Sequence, residues 1–203
     1  SEPKYGDALT AQTWVANFRR GILSRREIRV CDGSGVVAAA SQEWVHVSDQ
    51  LKPVRASEAC LAAFEVEDVD VQHALPEWTP SARDVHYEFT FDAWHTWMDP
   101  LGHANHPMYL DWCDESVSRW MFSVGLTPVE LRPVAETITW KLGVEAPQTV
   151  VVQTALKGQT ENGDAVFEHV IRNDTGALCA SAITVRSLAD GPKGQLFRKL
   201  AGG

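Results

Sequence analysis

One spacing limits what this chain can fold into more than any other. Gln12-Thr13 and Gln153-Thr154 stand 141 positions apart, and so do Gly35 and Gly176. The glycines sit in similar runs, Cys31-Asp32-Gly33-Ser34-Gly35-Val36-Val37-Ala38-Ala39-Ala40 and Arg172-Asn173-Asp174-Thr175-Gly176-Ala177-Leu178-Cys179-Ala180-Ser181. A single offset that serves both matches without a gap points to two copies of a module of roughly 140 residues.

Each copy carries the same predicted strand order. Leu9–Phe18 and Thr149–Leu156 are rich in Thr, Val and aromatic residues, as half-buried strands are. Ile22–Cys31 and Val166–Asn173 follow, and Asp32-Gly33-Ser34-Gly35 and Asn173-Asp174-Thr175-Gly176 then supply hairpin turns. Val36–Val47 and Ala177–Leu188 close each antiparallel run.

The second copy also has a front part. His86–Phe91 reads as a strand, Asn105 or His106 to about Val124 as a helix, and Val134–Leu142 as the next strand. Pro107 fits the first turn of that helix and Gly125 its stop. Tyr109, Trp112, Cys113, Val117, Trp120, Met121 and Val124 recur along it at three- and four-residue steps, which makes a broad apolar stripe. The offset carries this front part of the second copy back to the chain start or before it. The first copy is therefore expected to lack a leading strand, its helix and one following strand. An upstream segment or a partner chain would complete it, and we favour the former, because a sheet without its helix exposes a damaging apolar face. Ser48 to Arg83 connects the copies, with a short helix expected near Glu58–Phe64. The tail after Asp190 is expected to be loosely ordered.

Composition narrows the class. The 203 residues can bury a real core, and 44% hydrophobic with 22% charged is ordinary for a globular protein. Eight tryptophans forecast bulky aromatic packing or an apolar pocket. No apolar run approaches a membrane span, and no signal segment opens the chain. Cys31, Cys60, Cys113 and Cys179 form no C-x-x-C pair and read as reduced packing cysteines, so a cytoplasmic location is expected. A formal charge of −9 argues against nucleic acid as a partner. Arg19-Arg20, Arg25-Arg26 with Arg29, Lys52 with Arg55, and Lys193 with Arg198-Lys199 are either solvated surface or a dock for a phosphate-bearing carrier. His46, His73, His86, His95 and His169 have no metal-ligand spacing, so no metal and no cofactor is expected. The chain carries no Gly-rich phosphate loop and no Gly-x-Ser-x-Gly elbow.

Chemistry concentrates in Asp99-Pro100-Leu101-Gly102-His103-Ala104-Asn105-His106-Pro107-Met108-Tyr109-Leu110-Asp111-Trp112. A carboxylate, a glycine turn, two imidazoles and a carboxamide lead into the long helix, whose free N–H groups can polarise a carbonyl. This stretch resembles the thioesterase signature of the hotdog superfamily, Asp-x-x-Gly-His-x-Asn-His/Asn-x-x-Tyr-x-x-Trp. Thr13-Trp14, Arg25-Arg26, Ser41-Gln42-Glu43-Trp44-Val45 and Lys52-Pro53-Val54-Arg55 resemble the N-terminal half of acyl-acyl-carrier-protein thioesterases, which are tandem hotdogs.

The resemblance implies an α+β fold of tandem hotdogs, each a bent antiparallel sheet around a long helix. It implies a partial N-terminal hotdog at 1–64, a linker at 65–83, a C-terminal hotdog with the catalytic loop at 84–190, and a flexible tail at 191–203. The motif carries over at Asp99, His103, Asn105, Tyr109, Trp112 and Glu115. Two positions depart from the plant members: Leu101 stands where they have Asn, and Trp140-Lys141-Leu142-Gly143-Val144 stands where they have Glu-Cys, with Glu145 just beyond.

The implied activity is hydrolysis of acyl thioesters of acyl carrier protein or coenzyme A. Asp99 acts as base toward water or as nucleophile, and N–H groups around Gly102–His103 polarise the carbonyl. His103 orients Asp99 or water, or protonates the leaving thiolate. Asn105 donates to Asp99 or caps the helix, and Glu115 is a second acid or an exposed residue. Gly102, His106, Tyr109 and Trp112 are candidate substrate contacts, with turn, helix-start and core roles as the alternatives. A homo-oligomer or an intramolecular hotdog pair is expected. Two other readings stand beside hydrolysis: a hotdog hydratase or dehydratase, which also pairs Asp with His, and a non-catalytic acyl-ligand-binding hotdog protein.

Overall fold

The computed structural model describes residues 3–50, 52–67, 73–127, 131–188 and 199–200. They fall in two compact units, Ser1–Ala74 and Leu75–Gly203.

The first unit is a three-stranded antiparallel sheet of β1 (Thr10–Arg19), β2 (Leu23–Asp32) and β3 (Gly35–Val45), followed by the short helix α1 (Glu58–Ala62). The carboxylate of Asp32 organises the β2–β3 turn by accepting the backbone N–H groups of Ser34 at 2.6 Å and Gly35 at 3.1 Å. Ser57 caps α1 by accepting the Cys60 N–H at 3.1 Å. Val15, Ala16 and Ala56 are buried, whereas β3 is exposed along nearly all its length, with Trp44 at 51% and Val36 at 59%.

The second unit adds the elements that the first does not show among its described residues. β4 (Trp78–Pro80), β5 (His86–Asp92), a 3-10 turn (His95–Trp97), the long helix α2 (His106–Ser123), β6 (Leu131–Trp140), β7 (Thr149–Thr160), β8 (Ala165–Asn173) and β9 (Leu178–Leu188) follow in order. The sheet runs β4-β7-β8-β9-β6, with β5 also paired to β7, and all pairs are antiparallel. α2 lies against β7 and β5. An antiparallel sheet with one long helix fits a hotdog fold. The three-residue strand β4 has no alternation to announce it and was not expected. It extends β7 to Thr160, and Gly158 makes room, since a Cβ there would stand 2.1 Å from the Thr79 carbonyl oxygen.

The internal repeat reaches the level of register. β1 pairs β2 through Gln12↔Arg29, Thr13↔Ile28, Trp14↔Glu27 and Val15↔Arg26, with an irregularity before Asn17↔Arg25. β7 pairs β8 through Gln153↔Val170, Thr154↔His169, Ala155↔Glu168 and Leu156↔Phe167, with the same irregularity before Gly158↔Val166. The turns match as well: Asn173 accepts from Thr175 N at 3.2 Å and Thr175 Oγ1 at 2.8 Å, as Asp32 does from Ser34.

α2 buries Tyr109, Trp112, Cys113, Ser116, Val117, Trp120 and Met121, the stripe expected from sequence plus one serine and without Val124, which is the half-buried C-cap residue. Beneath its first half lie Val144, Val150, Val152, Ile171, Cys179 and Ala180. Beneath its second half lie Leu156, Ala165, Phe167 and Leu200. Leu200 and Lys199 are the only described residues of the 191–203 tail; the rest of that tail, and residues 68–72 of the 65–83 linker, lie outside the described residues. Among the described residues, no helix is long and apolar enough to cross a membrane.

A polar seam runs between the two apolar clusters. Ser116 Oγ bonds Thr154 Oγ1 at 2.8 Å, Thr154 Oγ1 bonds His169 Nδ1 at 2.9 Å, and His169 Nε2 bonds Thr184 Oγ1 at 2.9 Å. All four residues are fully buried and every link is made, so the seam holds one alignment of helix and strands without an orphaned group. Arg186 is likewise buried and ties β9 to Asp114 on α2 at 2.9 Å and to Glu136 on β6 at 2.6 Å.

Burial, aided by the Arg186 charge, pushes the His169 imidazole from its ordinary 6.5 down to about 3. Through that window the unfolded chain binds a proton that the folded chain does not, so this residue's contribution to stability falls as the pH drops from 6.5 toward 3. In urea titrations, His169→Gln should be less stable than wild type at neutral pH and should lose less stability on acidification. Parallel losses in the two proteins would show that His169 is not the titrating group.

Candidate active site

The loop that leads into α2 is built around the Asp99 carboxylate. Asp99 Oδ1 accepts the Leu101 N–H at 2.8 Å and the His103 N–H at 3.4 Å. The Asp99 N–H donates to the His103 carbonyl at 2.7 Å, and the Gly102 N–H donates to the Asp99 carbonyl at 2.9 Å. Gly102 sits at φ +81, a conformation that side chains rarely adopt, so the turn needs glycine. Two backbone donors thus hold one oxygen of a half-buried carboxylate, while Oδ2 has no protein donor among the described residues. Such a group is oriented yet free to take a proton or to attack.

The N–H groups of Gly102 and His103 are spent on Asp99, and the helix begins only at His106. In the first turn of α2 Pro107 has no N–H and the Met108 N–H donates to the Asn105 carbonyl at 2.9 Å, so the His106 N–H is the first-turn donor without a partner among the described residues. Asn105 is the N-cap residue, yet its side chain makes no capping bond. Its backbone N–H donates to the Trp97 carbonyl at 2.9 Å, so it anchors the loop through main chain alone. The His106 ring packs on Trp140 with centroids 4.5 Å apart.

A second segment, 142–145, completes the loop's surroundings. The Ala104 N–H donates to the Val144 carbonyl at 2.7 Å, and the Val144 N–H donates to Tyr109 Oη at 3.0 Å. Tyr109 is buried, and burial first, then the charges of Cys179 and Asp99, raise its phenol above the usual value. The His103 ring rests on Gly143, where a Cβ would lie 2.4 Å from its Cδ2, and its Nε2 stands 3.7 Å from Glu145 Oε1. Glu145 and Gly143 were not among the sequence candidates. Only the adjacency of Glu145 to the departing Trp140–Val144 stretch hinted at them.

The remaining candidates stand on another face of α2. Glu115 is half-exposed and paired to Arg119 at 2.7 Å, one helical turn on. Both line a cleft of about 340 Å³ together with Asp111 and Trp112. Burial, then the charge of Asp114, raises the Asp111 carboxyl above its usual value. The Tyr109 and Trp112 rings, 4.8 Å apart, connect the loop group to the cleft group. Asp99, Gly102, His103 and Tyr109 are thus brought together, whereas Glu115 points to separate surroundings. Among the described residues, no three His, Cys, Asp or Glu side chains group closely enough to hold a metal ion.

No family model and no curated relative matches the sequence. Solved structures do resemble it. A protein described as an oleoyl thioesterase from Lactobacillus plantarum aligns over 93% of this chain and 72% of its own, with TM-score 0.73 and 18% identity. The 12:0-ACP thioesterase from Umbellularia californica aligns over 91% and 67%, with TM-score 0.68 and 17% identity. An acyl-ACP thioesterase from Bacteroides thetaiotaomicron aligns over 88% and 68%, with TM-score 0.63 and 14% identity. At these identities the likeness is one of fold.

Two substitutions probe the geometry. Tyr109→Phe strands the buried Val144 N–H and should cost about 1–3 kcal/mol in urea unfolding; a loss within error would mean that this N–H finds another partner. Gly143→Ala must displace the His103 ring, an overpacking cost of about 1–3 kcal/mol. A shifted His103 imidazole resonance against an otherwise wild-type spectrum is the expected signature.

Proposed function

We propose that this chain hydrolyses acyl thioesters, releasing a free acid and a thiol, with Asp99 as the reacting carboxylate. The observation that carries the reading is the held Asp99 Oδ1 with an Oδ2 that meets no donor among the described residues, placed just ahead of the N-terminus of α2 in a fold shared with thioesterases. Oδ2 either takes a proton from water or attacks the thioester carbon, and the N–H of His106 at the start of α2 stabilises the oxyanion that forms. His103, positioned by Gly143 and facing Glu145, supplies a proton to the leaving thiolate or orients water. Acyl carrier protein and coenzyme A thioesters are both candidate substrates.

The shared register of the β1–β2 and β7–β8 pairs supports a tandem hotdog reading, with the first unit a partial copy and the second holding the reactive loop.

The test is thiol release from a panel of acyl thioesters by wild type and by Asp99→Ala and Asp99→Asn. Both variants should lose about 10²–10⁴-fold in turnover, the range for a positioned acid–base group, with unchanged folding. Equal rates in wild type and variants would sink the assignment.

A further inference from the structure

We propose that the cleft between β5, the 95–97 turn and α2 binds a small organic cation, an alkylated ammonium held by the Asp111 carboxylate and the Trp94–Trp97 ring pair. This site goes beyond the hydrolase reading and does not rest on it.

The protein's own side chains show what kind of group suits the cleft. Asp111, Glu115 and Arg119 follow one another at four-residue steps along α2, so they share one helix face, and all three line the cleft of about 340 Å³. The Arg119 guanidinium meets Glu115 at 2.7 Å and lies over the Phe89 ring, 4.5 Å from its centroid. One carboxylate and one aromatic face thus already hold a cation in this cleft.

Asp111 repeats the carboxylate without the cation. It makes no hydrogen bond or ion pair among the described residues. Its helix neighbours three and four positions away are Pro107, Met108, Asp114 and Glu115, none of them a cation. Arg119 is matched by Glu115, so the lining keeps one uncompensated negative charge. The aromatic faces are repeated as well. Trp97 stands 5.7 Å from Trp112, the residue next to Asp111, and Trp94 stacks on Trp97 at 5.2 Å and 8°. Trp94 is 64% exposed and lines the same cleft, so its ring is open to a ligand.

Charge and wall chemistry select the ligand class, and the volume suits a small molecule. An anion would face two carboxylates, and a neutral apolar group would leave Asp111 uncompensated. A primary ammonium brings three N–H donors to one carboxylate among apolar walls. An alkylated ammonium keeps the charge, has fewer donors or none to satisfy, and lays its methyl groups on the rings.

The probes are choline and 3,3-dimethyl-1-butanol, which share a shape and differ in a charged nitrogen against a neutral carbon. Binding is read from the indole N–H resonances of the intact chain, with the Trp94 signal assigned by Trp94→Ala. Choline should move that signal saturably and bind roughly tenfold tighter than the alcohol. Asp111→Asn, at an exposed position, should bring choline down to the level of the alcohol and leave the alcohol unchanged. Trp94→Ala should weaken choline severalfold. In wild type, added salt should weaken choline and spare the alcohol, a readout that needs no variant to fold. Phosphatidylcholine vesicles should not sediment the chain, which separates a free ammonium from a lipid headgroup.

Equal binding of the two probes to wild type, an unmoved Trp94 signal, a choline preference that survives Asp111→Asn, or sedimentation with the vesicles would overturn the proposal. None of these readouts involves turnover, so the site and the hydrolase reading fail separately.

Discussion

Burial of the apolar stripe of α2 against β7 and β5 is the contact on which the second unit depends. Tyr109, Trp112, Cys113, Val117, Trp120 and Met121 all lose their water to it, and each such side chain contributes about 1.5–3 kcal/mol. Hydrophobic burial alone is indifferent to small slides of a helix on a sheet. The seam from Ser116 to Thr184 removes that freedom, because a slip would break the buried Ser116–Thr154 bond that joins the helix to a chain of hydrogen bonds across β7, β8 and β9. Arg186 does the same at the edge, between β9, β6 and the middle of the helix.

Fixing the helix fixes where its first turn points, and the Asp99–Asn105 loop is assembled on that end. Tyr109 reaches back from the helix to the Val144 N–H, and Ala104 meets the Val144 carbonyl from the loop side. The loop is therefore anchored to the core by one side chain and one main-chain bond. The departure at Gly143 takes on a different meaning in this setting. An acid on a full side chain there would occupy the space of the His103 ring, so the glycine and the histidine position belong together, and Glu145 supplies a carboxylate from the next turn of chain.

The two units show how far register can be shared while environment differs. β1–β2 and β7–β8 agree in pairing and in the place of their irregularity. β9 is paired on both sides and largely buried, whereas β3, among the described residues, pairs only with β2 and is exposed. Local hydrogen bonding sets the register, and the neighbours decide what the strand faces touch.

The sequence by itself determined the elements whose signal is local. The helix ran from His106 as its Pro107 start and three-four stripe required, and the strand order followed from alternation and from Asp/Asn–Gly turns. The Asp99–His103 turn was legible for the same reason, since an Asx turn and a left-handed glycine are decided within five residues. Ser116 and His169 could not be recognised as partners, because they meet only when helix and sheet pack. Nor could the contacts of Gly143 and Glu145 with the His103 ring be seen in a linear pattern. Tertiary structure alone decided which side chain touches which, because those contacts depend on distance in space, which periodicity along the chain does not encode.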